Sequence, residues 1–281
     1  PSDKFRTLIG LYNHGKLEEV LSGTTTILAE FPNSVIYLNL QGAANAGLRR
    51  FEAAIESYKK ALKIKPDTAE FYNNIGNALK EQDKLGEAIE VYKEALKIKP
   101  GFAEAYNNLG NALIEMGKLG EAIEAYKEAL KIKPDFAEAY NNMGNALKEQ
   151  DKLGEAIEAY KEALKIKPDT AEFYNNMGNA LKERDKLGEA IEAYKEALKI
   201  KPDFAEAYHN MGVALKKNGD LDAAIEAYKE ALKIKPGIAE SHNNLGNTLI
   251  EMGKLGEAIE ALNKALDIKP DYAEAYNNMG N

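Results

Sequence analysis

Cysteine is absent from the 281 residues. That excludes disulfides, thiolate nucleophiles and cysteine-based metal sites. Histidine occurs three times, at His14, His209 and His242, scattered and never in H-E-x-x-H spacing. No apolar run approaches the roughly 20 residues that cross a bilayer, and a signal peptide is not expected. No membrane partner is therefore called for, and a cytoplasmic location is the expectation. Positive charge is not in excess: the net charge is −8, whereas a nucleic-acid surface needs a basic stripe. The recurrent Gly-Lys pair, as in Gly117-Lys118, is followed by Leu rather than Ser or Thr, so it is not a phosphate-binding loop. Nothing calls for a cofactor, and no catalytic constellation is present.

What the chain has instead is repetition. The segment 103–136 recurs every 34 residues, with copies beginning at Ala69, Ala103, Ala137, Ala171, Ala205 and Ala239 and a truncated one at Ala273. A period of this length signifies stacked supersecondary units that bury a continuous core between neighbours.

Each copy reads as two helices. Asp135-Phe136-Ala137-Glu138 has the D-x-x-E form of a capping box, so helix A is expected to start there and run to about Gln150. It ends at Gly117, Asp151 or Gly253, residues that tolerate the left-handed backbone of a helix C-terminus. After a short K-L-G link, helix B is expected from Glu121 to Ile132, stopping before Pro134. Tyr106, Leu109, Gly110 and Leu113 form one apolar stripe, and Ala122, Ile123, Tyr126, Ala129 and Leu130 the other. Gly110 and Ala122 are small, which predicts close approach of the two helix backbones.

Tyr106, Gly110, Leu113, Ala122, Tyr126, Ala129 and Pro134 stand at repeat positions 4, 8, 11, 20, 24, 27 and 32. This pattern resembles the tetratricopeptide (TPR) repeat, with Tyr in place of the frequent Trp at position 4. The resemblance implies an all-α, right-handed superhelical solenoid of helix-turn-helix repeats, with helix A lining a concave groove. On this reading residues 1–281 are one solenoid. Residues 1–34 form a divergent capping repeat, with Val20, Thr24 and Ile27 at the usual Ala, Tyr and Ala positions. Residues 35–272 hold seven repeats, and 273–281 a truncated one that leaves Tyr276 and Met279 without a covering helix B.

Most of the repeat is accounted for by stacking; asparagine is not. Regular copies carry N-N-x-G-N at positions 5, 6 and 9. Position 6 gives Asn74, Asn108, Asn142, Asn176, Asn210, Asn244 and Asn278; position 9 gives Asn77, Asn111, Asn145, Asn179 and Asn247, interrupted by Val213. Asparagine in a helix is up to about 0.7 kcal/mol worse than alanine, so three per helix invite a reason. Positions 2, 5, 9, 12 and 13 share the face turned away from the Tyr–Leu stripe, with 6 at its border. Amides offer both donor and acceptor. A ladder of them could hold the backbone of an extended peptide; equally, they could bond to the neighbouring helix and stabilise stacking. The Y-x-N-[LM]-G pattern is similar to the repeats of the O-GlcNAc transferases, which implies that the position-6 amides hold peptide backbone. Position 12 alternates between Lys80, Lys148, Lys182 and Lys216 and the apolar Ile114 and Ile250; position 13 is usually Glu, but Lys217 forms a basic spot beside His209. The paired lysines of K-I-K-P are expected on a solvated face near the C-terminal end of helix B.

The expected function is a non-catalytic protein-interaction scaffold that takes a protein or peptide ligand in its groove. The alternatives are the recognition region of a larger enzyme of the glycosyltransferase or sulfotransferase kind, and a homo-oligomer stacking end to end through 273–281.

Overall fold

The computed structural model describes residues 2–280, all in helices and the short turns between them. The helices are α1 (Ser2–Asn13), α2 (Leu17–Glu30), α3 (Val35–Gly47), α4 (Phe51–Ile64), α5 (Ala69–Lys80), α6 (Leu85–Ile98), α7 (Ala103–Glu115) and α8 (Leu119–Ile132). They continue with α9 (Ala137–Glu149), α10 (Leu153–Ile166), α11 (Ala171–Glu183), α12 (Leu187–Ile200), α13 (Ala205–Lys217) and α14 (Leu221–Ile234). α15 (Ala239–Glu251), α16 (Leu255–Ile268) and α17 (Ala273–Gly280) complete the chain. It is an all-α repeat solenoid. Contacts group it into two compact units, Pro1–Ala139 and Tyr140–Asn281, and within each unit helices pack on their sequence neighbours.

The helix starts differ from expectation in two ways. At α11 and α13 the capping box does not form: they begin after Thr170 and Phe204, and no side chain caps them. The aspartate of D-x-x-E stands one residue too early to reach the first turn, and at α13 it supplies only its backbone carbonyl, which accepts from Ala205 N–H at 3.1 Å. Helix B starts two residues sooner than expected, because the Leu-Gly of the K-L-G link forms its first turn. The helix-A ends fall where the sequence puts them. Gly117 has φ 72° and Asp151 φ 59°, a left-handed conformation that turns the chain sharply into helix B.

The core is laid down by one residue per repeat. Tyr92, Tyr160, Tyr194 and Tyr228, at position 24 of helix B, are all but inaccessible to solvent, as is Tyr126. Each ring lies over the position-8 glycine of its own helix A. A Cβ added at Gly110 would sit 2.5 Å from the Tyr126 ring, and at Gly144 2.7 Å from Tyr160. The glycine thus makes room for an aromatic ring rather than for the partner backbone, which corrects the reason given for its small size. Ala122 is fully buried beneath the same joint.

The first unit opens on a separate apolar cluster of Leu8, Val20, Ile27, Tyr37, Leu40 and Ala44, with Phe5 set edge-on to Tyr37. Val20, Thr24 and Ile27, which replace the usual Ala, Tyr and Ala, are buried there. In the second unit, Tyr276 and Met279 of α17 are exposed.

Candidate functional site

The amides of helix A form an ordered lattice. At position 9, Asn77, Asn111 and Asn145 accept the hydroxyl of Tyr92, Tyr126 and Tyr160 at 2.7 Å, and Asn179 accepts that of Tyr194 at 2.8 Å. The ring that fills the core therefore also fixes the orientation of an amide on the surface. Burial pushes the Tyr92, Tyr160 and Tyr194 hydroxyls well above the usual phenol range, so they remain protonated donors.

At position 6 the amides donate to position 5 of the preceding repeat. Asn108 Nδ2 donates to Asn73 Oδ1 at 3.0 Å in the first unit. In the second, Asn176 donates to Asn141 at 3.0 Å, Asn210 to Asn175 at 3.1 Å and Asn278 to Asn243 at 2.9 Å. Asn142 Oδ1 accepts from Asn141 at 3.4 Å. The acceptors are buried: Asn73, Asn141, Asn175 and Asn243 all lie beneath the surface, as does Asn107 at the same position. Position 5 thus belongs to the inter-repeat seam rather than to the exposed face on which the sequence placed it. Asn175 shows the seam's next link, its Nδ2 donating to Glu206 at 3.1 Å. The position-6 and position-9 amides themselves are half-buried, reaching the surface at Asn74, Asn77, Asn108, Asn111, Asn142, Asn145, Asn176, Asn179, Asn210 and Asn244.

Ion pairs frame this lattice. The position-12 lysine meets the position-13 glutamate of the next repeat: Lys80 with Glu115 at 3.2 Å, Lys148 with Glu183 at 3.5 Å and Lys216 with Glu251 at 2.8 Å. These pairs were not legible in one repeat alone; their signal is a 35-residue offset, the same as between the asparagines. The second lysine of K-I-K-P is more engaged than a solvated face requires. Lys99 meets Glu70 at 2.7 Å and Lys201 meets Glu172 at 3.2 Å, and each ammonium also lies over the aromatic ring three residues on. The first lysine does lie on the solvated face, pairing three residues back along helix B, as Lys97 does with Glu94.

Lys217, expected to form a basic spot beside His209, pairs with Asp185 at 2.8 Å. Burial holds His209 below its ordinary value, so it adds no charge, and its Nδ1 engages Ser241 Oγ at 2.7 Å. Among the described residues no group of His, Asp or Glu could hold a metal ion, and no helix is long and apolar enough to cross a membrane.

The TPR repeat profile matches residues 50–83, 76–117, 110–151, 144–184 and 178–219, and a second tetratricopeptide repeat profile matches 203–271. The chain belongs to the tetratricopeptide repeat family. Among solved structures it is similar to YrrB, described as a TPR protein with an unusual peptide-binding site. The two are 25% identical over 69% of this chain and 100% of YrrB, with a TM-score of 0.58. It is also similar to MamA, at 30% identity over 59% of this chain and 97% of MamA, with a TM-score of 0.55. The pilF protein of Pseudomonas aeruginosa shares the fold at 20% identity, a TM-score of 0.66, and coverage of 76% of this chain and 98% of its own. No curated protein matches the sequence. As a TPR protein, the chain is a protein–protein interaction scaffold.

Proposed function

We propose that the scaffold is non-catalytic and binds an extended polypeptide segment along its helix-A face, through the position-6 and position-9 asparagines. The observation that carries this reading is how the lattice leaves the amides oriented. In Asn77, Asn145 and Asn179 the carbonyl oxygen takes the tyrosine hydroxyl, which leaves the N–H groups as donors. In Asn108, Asn176 and Asn210 one N–H is committed to the seam, which leaves the carbonyl oxygen as an acceptor. In the repeat of Asn176 and Asn179 a fixed acceptor and a fixed donor thereby stand three residues apart on one helix. A peptide backbone presents both kinds of group at every residue. Because the amides are held before the ligand arrives, little side-chain entropy is lost on binding. The likeness to YrrB, a protein with a peptide-binding site, supports the same reading.

The test uses peptides recovered from a random dodecamer library by affinity for the full chain. Asn108, Asn142 and Asn176 are changed together to Ala, and folding is checked by circular dichroism. Each lost amide contact to peptide backbone is worth about 1 kcal/mol, so the folded triple variant is expected to bind about a hundredfold more weakly. Unchanged affinity overturns the reading.

A further inference from the structure

One locus in the second unit departs from the lattice at three positions. Position 5 is His209 instead of Asn, position 9 is Val213 instead of Asn, and position 13 is Lys217 instead of Glu. Each substitution releases a group that is tied up elsewhere. With His209 turned to Ser241, Asn244 has no position-5 amide to receive its N–H. With Val213 opposite, the hydroxyl of Tyr228 has lost the carbonyl that its counterparts use, although the side chain is just as deeply buried. With Lys217 at position 13, Lys182 lacks the carboxylate that Lys80, Lys148 and Lys216 each meet. Lys217 itself reaches outward to Asp185 at 2.8 Å, a solvent-exposed pair of the kind worth little.

Two of the released groups, the Tyr228 hydroxyl and the Asn244 amide, meet with Lys217 on a cavity. Val213, Lys216, Lys217, Tyr228, Asn244 and Glu251 line a space of about 390 Å³. Lys216 and Glu251 neutralise each other across it. The other polar groups on its wall, the Tyr228 hydroxyl, the Asn244 amide and the Lys217 ammonium, can all donate hydrogen bonds. Val213 supplies an apolar wall. The carboxylate of Glu240 stands outside the cavity wall, 3.8 Å from Nε2 of His209. The regular lattice has one anion at this step of the repeat, and here that anion is missing.

We infer that the missing anion is brought by the ligand: the cavity receives an aspartate or glutamate side chain of a bound peptide, with an apolar neighbour in the sequence set against Val213. The inference rests on the peptide-binding reading above and adds to it. The uniform amides would hold any backbone, and this interruption would fix which residue sits where. Charge-assisted hydrogen bonds to a carboxylate are the strong ones, and leaving such donors unmatched penalises a neutral side chain.

The test compares the full chain with a variant in which the lattice is restored, His209→Asn, Val213→Asn and Lys217→Glu. These are residues the chain already uses at the same positions in other repeats, so folding is expected to be retained and is checked by circular dichroism. Both proteins are used to select from the same random dodecamer library. The native chain is expected to enrich Asp or Glu beside an apolar residue at one internal position, and the restored variant to bind peptides without that preference. Replacing the selected acid by its amide should weaken binding to the native chain about tenfold and leave binding to the variant unchanged. Peptides recovered by both proteins with the same residue preferences overturn the inference while leaving backbone binding in place. Preference for a free C-terminal carboxylate in place of an internal acid also overturns it. Recovery of no peptide by either protein overturns both readings.

Discussion

Gly42 faces Tyr58 in the segment 35–68 much as Gly144 faces Tyr160 in the segment 137–170: a Cβ added to either glycine would stand 2.6 or 2.7 Å from the ring. Both tyrosines are buried. Their hydroxyls differ. Tyr160 donates to Asn145, whereas position 9 of the earlier segment is Ala43 and position 6 is Leu40. One segment therefore has the joint without the position-6 and position-9 asparagines, its Gln41 amide instead accepting from Ser57 at 3.3 Å, and the other has the joint with that asparagine layer added. Helices pair and stack in both, as α3 and α4 do without an asparagine at position 6 or 9. The difference teaches that the stack does not require the asparagines of the later repeats, which is the condition for assigning them a second purpose.

The comparison can be broken at the joint first. Tyr160→Ala and Tyr58→Ala should each remove about 3–5 kcal/mol, read from denaturant midpoints. Equal losses confirm a shared joint, and a much smaller loss at Tyr58 dissolves the comparison. Gly144→Ala and Gly42→Ala should each cost about 1–3 kcal/mol by overpacking the ring, again equally. The polar layer is isolated by removing one oxygen. Tyr160→Phe should lose about 1 kcal/mol because Asn145 is left without its donor, while Tyr58→Phe should stay within about 0.5 kcal/mol. Identical losses would mean that the amide layer contributes nothing to the difference.

The smallest expected effect concerns pH. His209 is held below its ordinary value, first by burial and also by Lys182, with Glu240 and Glu206 acting in the opposite sense and Tyr228 packed beside it. Burial likewise lowers His242. The unfolded chain takes up these protons near pH 6.5 and the folded chain only at lower pH. Stability is therefore fully present above about pH 6.5 and declines as pH falls below it, levelling off under the folded values. Unfolding midpoints at pH 7.5 and 5.5 should show the decline, and His209→Asn should flatten it. A decline of the same size in that variant would assign it to other groups.

Much of the fold can be read from spacing. The 34-residue period, the tyrosine and glycine positions and the left-handed residues at Gly117 and Asp151 locate the helices and their turns within a residue or two. The capping box misleads because D-x-x-E describes a local contact, and the aspartate here stands one place outside the helix. The candidate amides were legible as a class but not in their partners. Asn73 and Asn108 look equivalent in sequence, yet one is a buried acceptor and the other a half-exposed donor, because helical spacing alone does not say where the next repeat covers the first. The Tyr–Asn bond joins residues 15 apart on different helices, and no single-helix pattern contains it. The Val213 interruption was visible as a broken letter, but the Tyr228 hydroxyl it releases became visible only with the helices packed.

The asparagine seam has one further property. Its bonds between one repeat's position-5 and the next repeat's position-6 asparagine join residue i to residue i+35, so they depend on a count along the chain and not on which repeats are involved. Excising residues 172–205 would bring Asn210 into the register that Asn176 now holds opposite Asn141, and the bond would re-form between new partners. Excising one residue more or fewer would set every later donor against the wrong face. The amide surface thus has a reading frame: insertions and losses of thirty-four leave it in phase, and the surface can grow or shrink in whole repeats with no other change to the sequence.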